Sequence, residues 1–158
     1  MIKKKLLNAD EVNCFEFFDE FVFTGYGDGL ICSWHIGQSS VEEIEPDFLP
    51  LLGHTNKINQ LKASVEVNKL FSCSDDCTLR QWSLDNIGVC DRVFKFPDPV
   101  TCCLVSSGIE PQMLFVGSWD KMVRAIILQQ GTVDRAFVAS REAIKCLHQH
   151  ENKLYVAG

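Results

Sequence analysis

The sequence has no apolar run approaching the roughly 20 residues that a membrane-spanning helix needs. Its start, Met1-Ile2-Lys3-Lys4-Lys5-Leu6-Leu7, is too short and too mixed for a secretory signal. These two absences point to an intracellular protein, cytoplasmic or nuclear, without a membrane partner. Positive charge is in deficit: 15 Lys and Arg stand against 21 Asp and Glu, a formal net charge of −6. A nucleic-acid footprint calls for a basic face, so this balance argues against one. Long helical periodicity is missing, whereas Phe and β-branched residues are plentiful. There is no phosphate-cradling glycine loop, no paired-carboxylate setting and no zinc-ligand array. The expectation is a protein with no catalytic residue, no cofactor and no metal. A chain of 158 residues suffices for one domain with a real core.

Cysteine is not scarce. The eight are Cys14, Cys32, Cys73, Cys77, Cys90, Cys102, Cys103 and Cys146. Without a secretory signal they read as free thiols. The pair Cys73 and Cys77 has ligand-like spacing, but no second pair exists to complete a zinc site. His148-Gln149-His150 reads as an exposed polar hairpin, in the turn before the last strand, rather than a metal site.

What the chain does contain is a period. Four short runs open alike: Val12-Asn13-Cys14, Ile58-Asn59-Gln60, Val100-Thr101-Cys102 and Ile144-Lys145-Cys146, at offsets of 46, 42 and 44 residues. A second strand follows each: Phe21 to Gly25, Lys69 to Cys73, Met113 to Gly117 and Lys153 to Ala157. Turn aspartates Asp28, Asp76 and Asp120 repeat with spacings of 48 and 44. Within each run apolar residues alternate, as in half-buried strands, so helical solenoids of similar period are excluded. On these alignments Cys14, Cys102 and Cys146 share one strand position and read as small buried hydrophobes.

The best-formed copy runs from Gly53-His54 through Leu70-Phe71-Ser72-Cys73-Ser74-Asp75-Asp76-Cys77 to Trp82-Ser83. With the 42 to 46-residue period, this resembles the WD-repeat family, although Ser83 stands where the family name-pair has Asp. The resemblance implies an all-β propeller of four-stranded antiparallel blades. Units fall at about 9–52, 53–96, 97–139 and an incomplete 140–158, roughly three and a half blades where propellers close with about 4–8. A fragment of a longer propeller is therefore expected, with closure by a second copy or a partner chain as the alternative. Lys3 to Leu6 reads as an outer strand of a preceding blade, Asn8 stands at the position of His54, and Gly37 to Pro46 reads as a solvated acidic loop.

The resemblance also implies a structural relay of His54, Ser72, Asp76 and Trp82. Unit one retains Thr24, Asp28 and Trp34. Unit three retains only Asp120, with Val116 and Ile126 replacing the hydroxyl and the indole. The family's usual role is to hold other proteins or peptides. Positions beside each first strand and turn Asp form the implied partner face: Glu11, Asn13, Lys57, Asn59, Asp75, Pro99, Thr101, Trp119, Ala143 and Lys145. Trp119 stands out, because Trp is enriched among interface hot spots and a turn does not demand burial. The expected function is a non-catalytic scaffold, an adaptor or a subunit for assembly or substrate recognition. Two other readings are weighed against it. One is a nucleic-acid-associated module, in RNA processing or linked to a zinc-finger protein, using Lys3-Lys4-Lys5, Arg80 and Arg124. The other is a hydrolase built on His54, Asp76 and Ser72, a set resembling a triad. Arg80 and Arg124 are expected on exposed strand faces.

Overall fold

The computed structural model describes residues 11–35, 50–108 and 110–158. Lys3 to Leu6, Asn8 and the Gly37 to Pro46 loop lie outside them. Every regular element among the described residues is a strand. The first sheet holds β1 (Val12–Phe18), β2 (Phe21–Tyr26) and β3 (Ile31–His35). The second holds β4 (Ile58–Ser64), β5 (Lys69–Ser74), β6 (Thr78–Ser83) and β7 (Cys90–Lys95). The third holds β8 (Val100–Val105), β9 (Met113–Ser118), β10 (Met122–Ile127) and β11 (Thr132–Val138). The last is the pair β12 (Cys146–His150) and β13 (Lys153–Ala157). All pairings are antiparallel, and consecutive strands are neighbours. This is the all-β architecture of successive small sheets that a propeller is built from.

The core lies between sheets, not within one. Phe23 and Ile31 of the first sheet pack with Ile58, Leu61, Leu70 and Trp82 of the second. Phe71, Cys73 and Leu79 pack with Val100, Leu114 and Val116 across the next seam. Cys102 and Val123 meet Ile144 and Leu147 across the third. Strand alternation explains this: successive residues of a strand point to opposite faces, so each sheet supplies one apolar face to each neighbour.

The first strand of each of the first three sheets carries a bulge at one repeat position, at Asn13, Asn59 and Thr101. At Asn59 and Thr101 the extra residue turns a polar side chain towards the next sheet. Asn59 Nδ2 donates to the Val100 carbonyl at 2.9 Å, and Thr101 Oγ1 to the Ile144 carbonyl at 2.5 Å. In the first sheet the neighbouring Cys14 thiol makes a longer contact, 3.8 Å, to the Ile58 carbonyl. Each seam therefore carries a clasp to the backbone of the next first-strand anchor.

Packing at these anchors is size-matched. Cys14 pairs with Gly25, and Cys102 with Gly117. A Cβ at Gly25 would stand 2.7 Å from Ile58 Cγ2, and one at Gly117 would stand 2.5 Å from Ile144 Cγ2. In the second sheet Cys73 takes the glycine's place, and the incoming anchor is the shorter Val100. Gly117→Ala should accordingly destabilise by about 1–2 kcal/mol through overpacking, read from the urea midpoint; a neutral result would show that the third seam can slide apart.

Three expectations need correcting. Cys146 is exposed rather than a buried hydrophobe, whereas Cys102 is buried and Cys14 half-buried. The difference is what lies opposite: Ile58 covers Cys14 and Ile144 covers Cys102, while no described sheet follows β13 to cover Cys146. His148 and His150 sit on β12, not in the turn, which Glu151 and Asn152 form. Arg80 and Arg124 are not on exposed faces. Arg80 Nη2 donates to the Gly53 carbonyl at 2.8 Å with its guanidinium 5.9 Å from the Trp82 ring centre. Arg124 bonds Asp120 at 2.6 Å and lies 5.5 Å from the Phe96 ring centre. Their hydrocarbon stems cover apolar surface while the guanidinium finds planar partners.

Candidate functional site

The second sheet carries the densest polar constellation. Trp82 and Ser72 lie on adjacent strands β6 and β5, and both are fully buried. Trp82 Nε1 donates to Ser72 Oγ at 2.8 Å. Ser72 Oγ lies 2.7 Å from His54 Nε2, and His54 Nδ1 lies 2.7 Å from Asp76 Oδ2. A hydroxyl that accepts from the indole can still donate its one proton, so His54 Nε2 accepts it and Nδ1–H donates to the carboxylate. One neutral tautomer satisfies the whole chain.

Asp76 closes the network. Its Oδ2 also accepts from the Thr55 N–H at 3.1 Å, and its Oδ1 accepts from the Thr78 N–H and hydroxyl at 2.9 and 2.6 Å. Burial pushes the His54 pKa below its ordinary value, and this outweighs the hydrogen bond and charge of Asp76. Burial alone would raise the Asp76 pKa, but hydrogen bonds from Thr78 and His54 hold it below the usual carboxylate value. The pair is thus a neutral imidazole against an ionised carboxylate.

The arrangement pins a loop. Residues 53–57 are gripped by His54, by Ser74 Oγ on the Asn56 carbonyl at 3.0 Å, and by the Asp75 N–H on the Lys57 carbonyl at 3.0 Å. The first sheet's turn then packs onto that loop: at Gly29, whose φ is +87°, a Cβ would stand 2.7 Å from the His54 carbonyl oxygen. The order Ser72–His54–Asp76 matches that of a hydrolytic triad, but its chemistry is different. The Ser72 hydroxyl is sealed between indole and imidazole, with no approach for a carbonyl carbon.

In the first sheet Trp34 Nε1 donates to Thr24 Oγ1 at 2.8 Å, and Thr24 passes its proton to Tyr26 at 3.2 Å. Asp28 is exposed and accepts the Leu30 N–H at 3.0 Å. In the third sheet Asp120 accepts the Met122 N–H at 3.1 Å and binds Arg124. All three turn aspartates thus cap the residue two places on, and only Asp76 also reaches a histidine among the described residues. Thr78 was missed from the sequence, although an Asp-x-Thr turn signals such local bonding. Gln60 was missed too: its Oε1 takes the Cys103 N–H at 2.6 Å. No local pattern announces a bond across 43 residues.

The implied partner face divides. Asn59, Asp75 and Thr101 commit their polar groups inward, Asn59 bonding Asp75 at 2.7 Å. Lys57, Lys145 and Asn13 are exposed, and Trp119 is 59% exposed. Buried thiols are inert: burial lifts Cys14 to about 11 and Cys102 to about 12. Among the described residues no three His, Cys, Asp or Glu side chains converge on a metal position.

Residues 48–83, which contain the loop, the relay and the indole, match the family model "WD domain, G-beta repeat". The chain carries a repeat of the WD40 type. The chain is similar to striatin of Rattus norvegicus, 36% identical over 97 residues, covering 56% of this chain and 12% of that protein. It is also similar to the WD repeat, SAM and U-box domain-containing protein 1 of Danio rerio, 34% identical over 101 residues, 63% of this chain and 20% of that one. This chain spans only a small part of the relatives it matches. The solved structure of the computationally designed Ika4 protein shares the fold, with a TM-score of 0.74 at 17% identity, over 94% of this chain and 92% of Ika4. No helix among the described residues is long and apolar enough to cross a membrane.

Proposed function

We propose that this WD40 chain is a non-catalytic platform that holds other proteins or peptides, an adaptor or a recognition subunit. The observation that carries the reading is Trp119. It occupies the turn between β9 and β10, 59% exposed, beside a backbone fixed by its own N–H on the Pro99 carbonyl at 3.0 Å. A large amphipathic ring held out on a rigid turn loses little freedom on binding. Lys57, Lys145 and Asn13 are exposed at the starts of the first strands of three other sheets and offer further polar contacts.

The nucleic-acid reading is weaker on two counts. Arg80 and Arg124 are engaged with Gly53, Trp82, Asp120 and Phe96. The net charge is −6. Retention on RNA or DNA that falls steeply with salt would revive it.

Selecting ligands from a displayed peptide library tests the platform reading. Trp119→Ala should weaken a selected peptide about 30-fold, the loss expected of a hot spot worth about 2 kcal/mol. The unfolding midpoint should not move. Equal affinity for the variant would remove Trp119 from the site, and a library that yields no binder would overturn the platform itself.

A further inference from the structure

The residue after each turn aspartate takes a left-handed backbone. Gly29 has φ +87°, Cys77 +64° and Lys121 +69°. Glycine reaches this region freely, whereas a lysine there is strained. Strain kept at an exposed turn points to a use for the side chain that bears it. Lys121 is exposed and stands two residues from Trp119.

Backbone hydrogen bonds tie other segments to this turn. The Ser118 carbonyl accepts the N–H groups of Lys121 and Ile144, both at 3.2 Å. The Lys121 carbonyl accepts the Ala139 N–H at 3.0 Å, and the Pro99 carbonyl holds the Trp119 N–H at 3.0 Å. Residues 139–145 therefore run beside the turn, and they bring Arg141 and Lys145. Lys121, Arg141 and Lys145 are exposed and form no ion pair with another described residue. By contrast Lys62, Lys69 and Arg124 are held by Glu16, Asp91 and Asp120.

Three acids lie on the same segments, Asp98, Asp120 and Glu142. Asp120 is engaged by Arg124 at 2.6 Å. After burial, the charge of Asp98 is the next cause raising the Cys77 thiol, so Asp98 leans towards the second sheet's turn. Glu142 is left to offset three cations. The corresponding turn of the second sheet is the reverse: Asp75 and Asp76 stand beside Lys57. On a chain of net charge −6, the turn that displays Trp119 is thus locally cationic.

We propose that the Trp119 turn recognises an acidic peptide. An apolar side chain of the peptide lies on the indole, and Asp or Glu residues next to it meet Lys121 and Arg141. The acidic preference rests on the platform reading above and specifies its partner. A guanidinium takes a carboxylate through two parallel hydrogen bonds, and an ammonium through one flexible contact. Opposite charge across such a surface fixes orientation and speeds encounter. A short peptide touches this turn alone, whereas a nucleic-acid strand, charged along its length, would also meet Asp75, Asp98 and the acidic remainder of the chain.

The peptides selected on the parent chain test this. They should carry Asp or Glu beside an aromatic or aliphatic residue. Exchanging those acids for Asn or Gln should weaken binding about 5- to 10-fold, with a loss that shrinks as salt is added. Lys121→Gly relieves the strained turn, so its urea midpoint should hold or rise while affinity for the acidic peptide falls about 5-fold. Its affinity for the amide peptide should match the parent's, since the two changes remove one contact. Peptides that need Trp119 but show no enrichment in acids overturn the acidic preference and leave the platform standing. A library without binders overturns both. Acidic peptides held equally well by Lys121→Gly combined with Arg141→Gln, or displaced by RNA at low salt, also overturn the assignment.

Discussion

Trp82→Ala should cost about 3–5 kcal/mol, the range for truncating a buried aromatic side chain. That is a large share of the roughly 5–15 kcal/mol by which native domains are stable. The ring is fully buried, packs in one cluster with Phe23, Ile31, Ile58, Leu61 and Leu70, and so holds two sheets at once. Removing it opens a cavity and takes the indole donor from the buried Ser72 Oγ. Trp82→Phe separates these effects: most of the volume stays and only the N–H is lost, for about 1–2 kcal/mol. The third sheet is an internal reference, since Ile126 stands at the same position, fully buried and without a hydrogen bond. Urea unfolding followed by circular dichroism would decide. If Trp82→Ala costs no more than Trp82→Phe, packing at this seam contributes little.

His54→Ala should destabilise by about 2–3 kcal/mol, because it leaves the buried Ser72 hydroxyl proton without its acceptor and takes from Asp76 Oδ2 its shortest hydrogen bond. It should also change how stability responds to acid. In the unfolded chain histidine titrates near pH 6.5, whereas burial holds the folded His54 lower. As the pH falls through about 6.5, the unfolded chain takes up a proton that the folded chain refuses, so stability drops. It stops dropping on this account once the folded pKa is passed. Asp76, depressed in the fold, stabilises at neutral pH and loses that contribution as acid carries it from its unfolded value, near 3.9, through its folded one. His54→Ala should flatten the first limb. A profile identical to the parent's would mean that His54 does not titrate against the fold. Loss of a hydrolytic activity with unchanged stability would instead restore the triad reading.

Much of the fold was open to reading before any coordinates. The four second strands could be placed from Phe21, Lys69, Met113 and Lys153 because a strand, its alternation and its closing turn are all local in the chain. The His54, Ser72 and Trp82 connection was legible because one repeat contains all of its members. Contacts between repeats were not. Asn59 and Thr101 look like exposed polar positions in the one-dimensional pattern, yet a bulge swings both onto carbonyls more than 40 residues away. Arg80 and Arg124 alternate as solvent-facing residues would, but neighbouring aromatic rings draw them down. Cys146 misled for the converse reason: its strand position predicts burial, but burial depends on what stands across the seam.

The size matching at the anchors has a consequence for how such a chain can be rebuilt. Gly25 admits Ile58, Cys73 admits Val100 and Gly117 admits Ile144. Cutting at a repeat boundary and pasting the second copy over the first or third would set a thiol's β-carbon where an isoleucine methyl already sits. The interchangeable cassette in this molecule is therefore half of one repeat joined to half of the next. A graft of the second repeat over the third inherits mismatched joints at both ends, Cys73 meeting isoleucine at each.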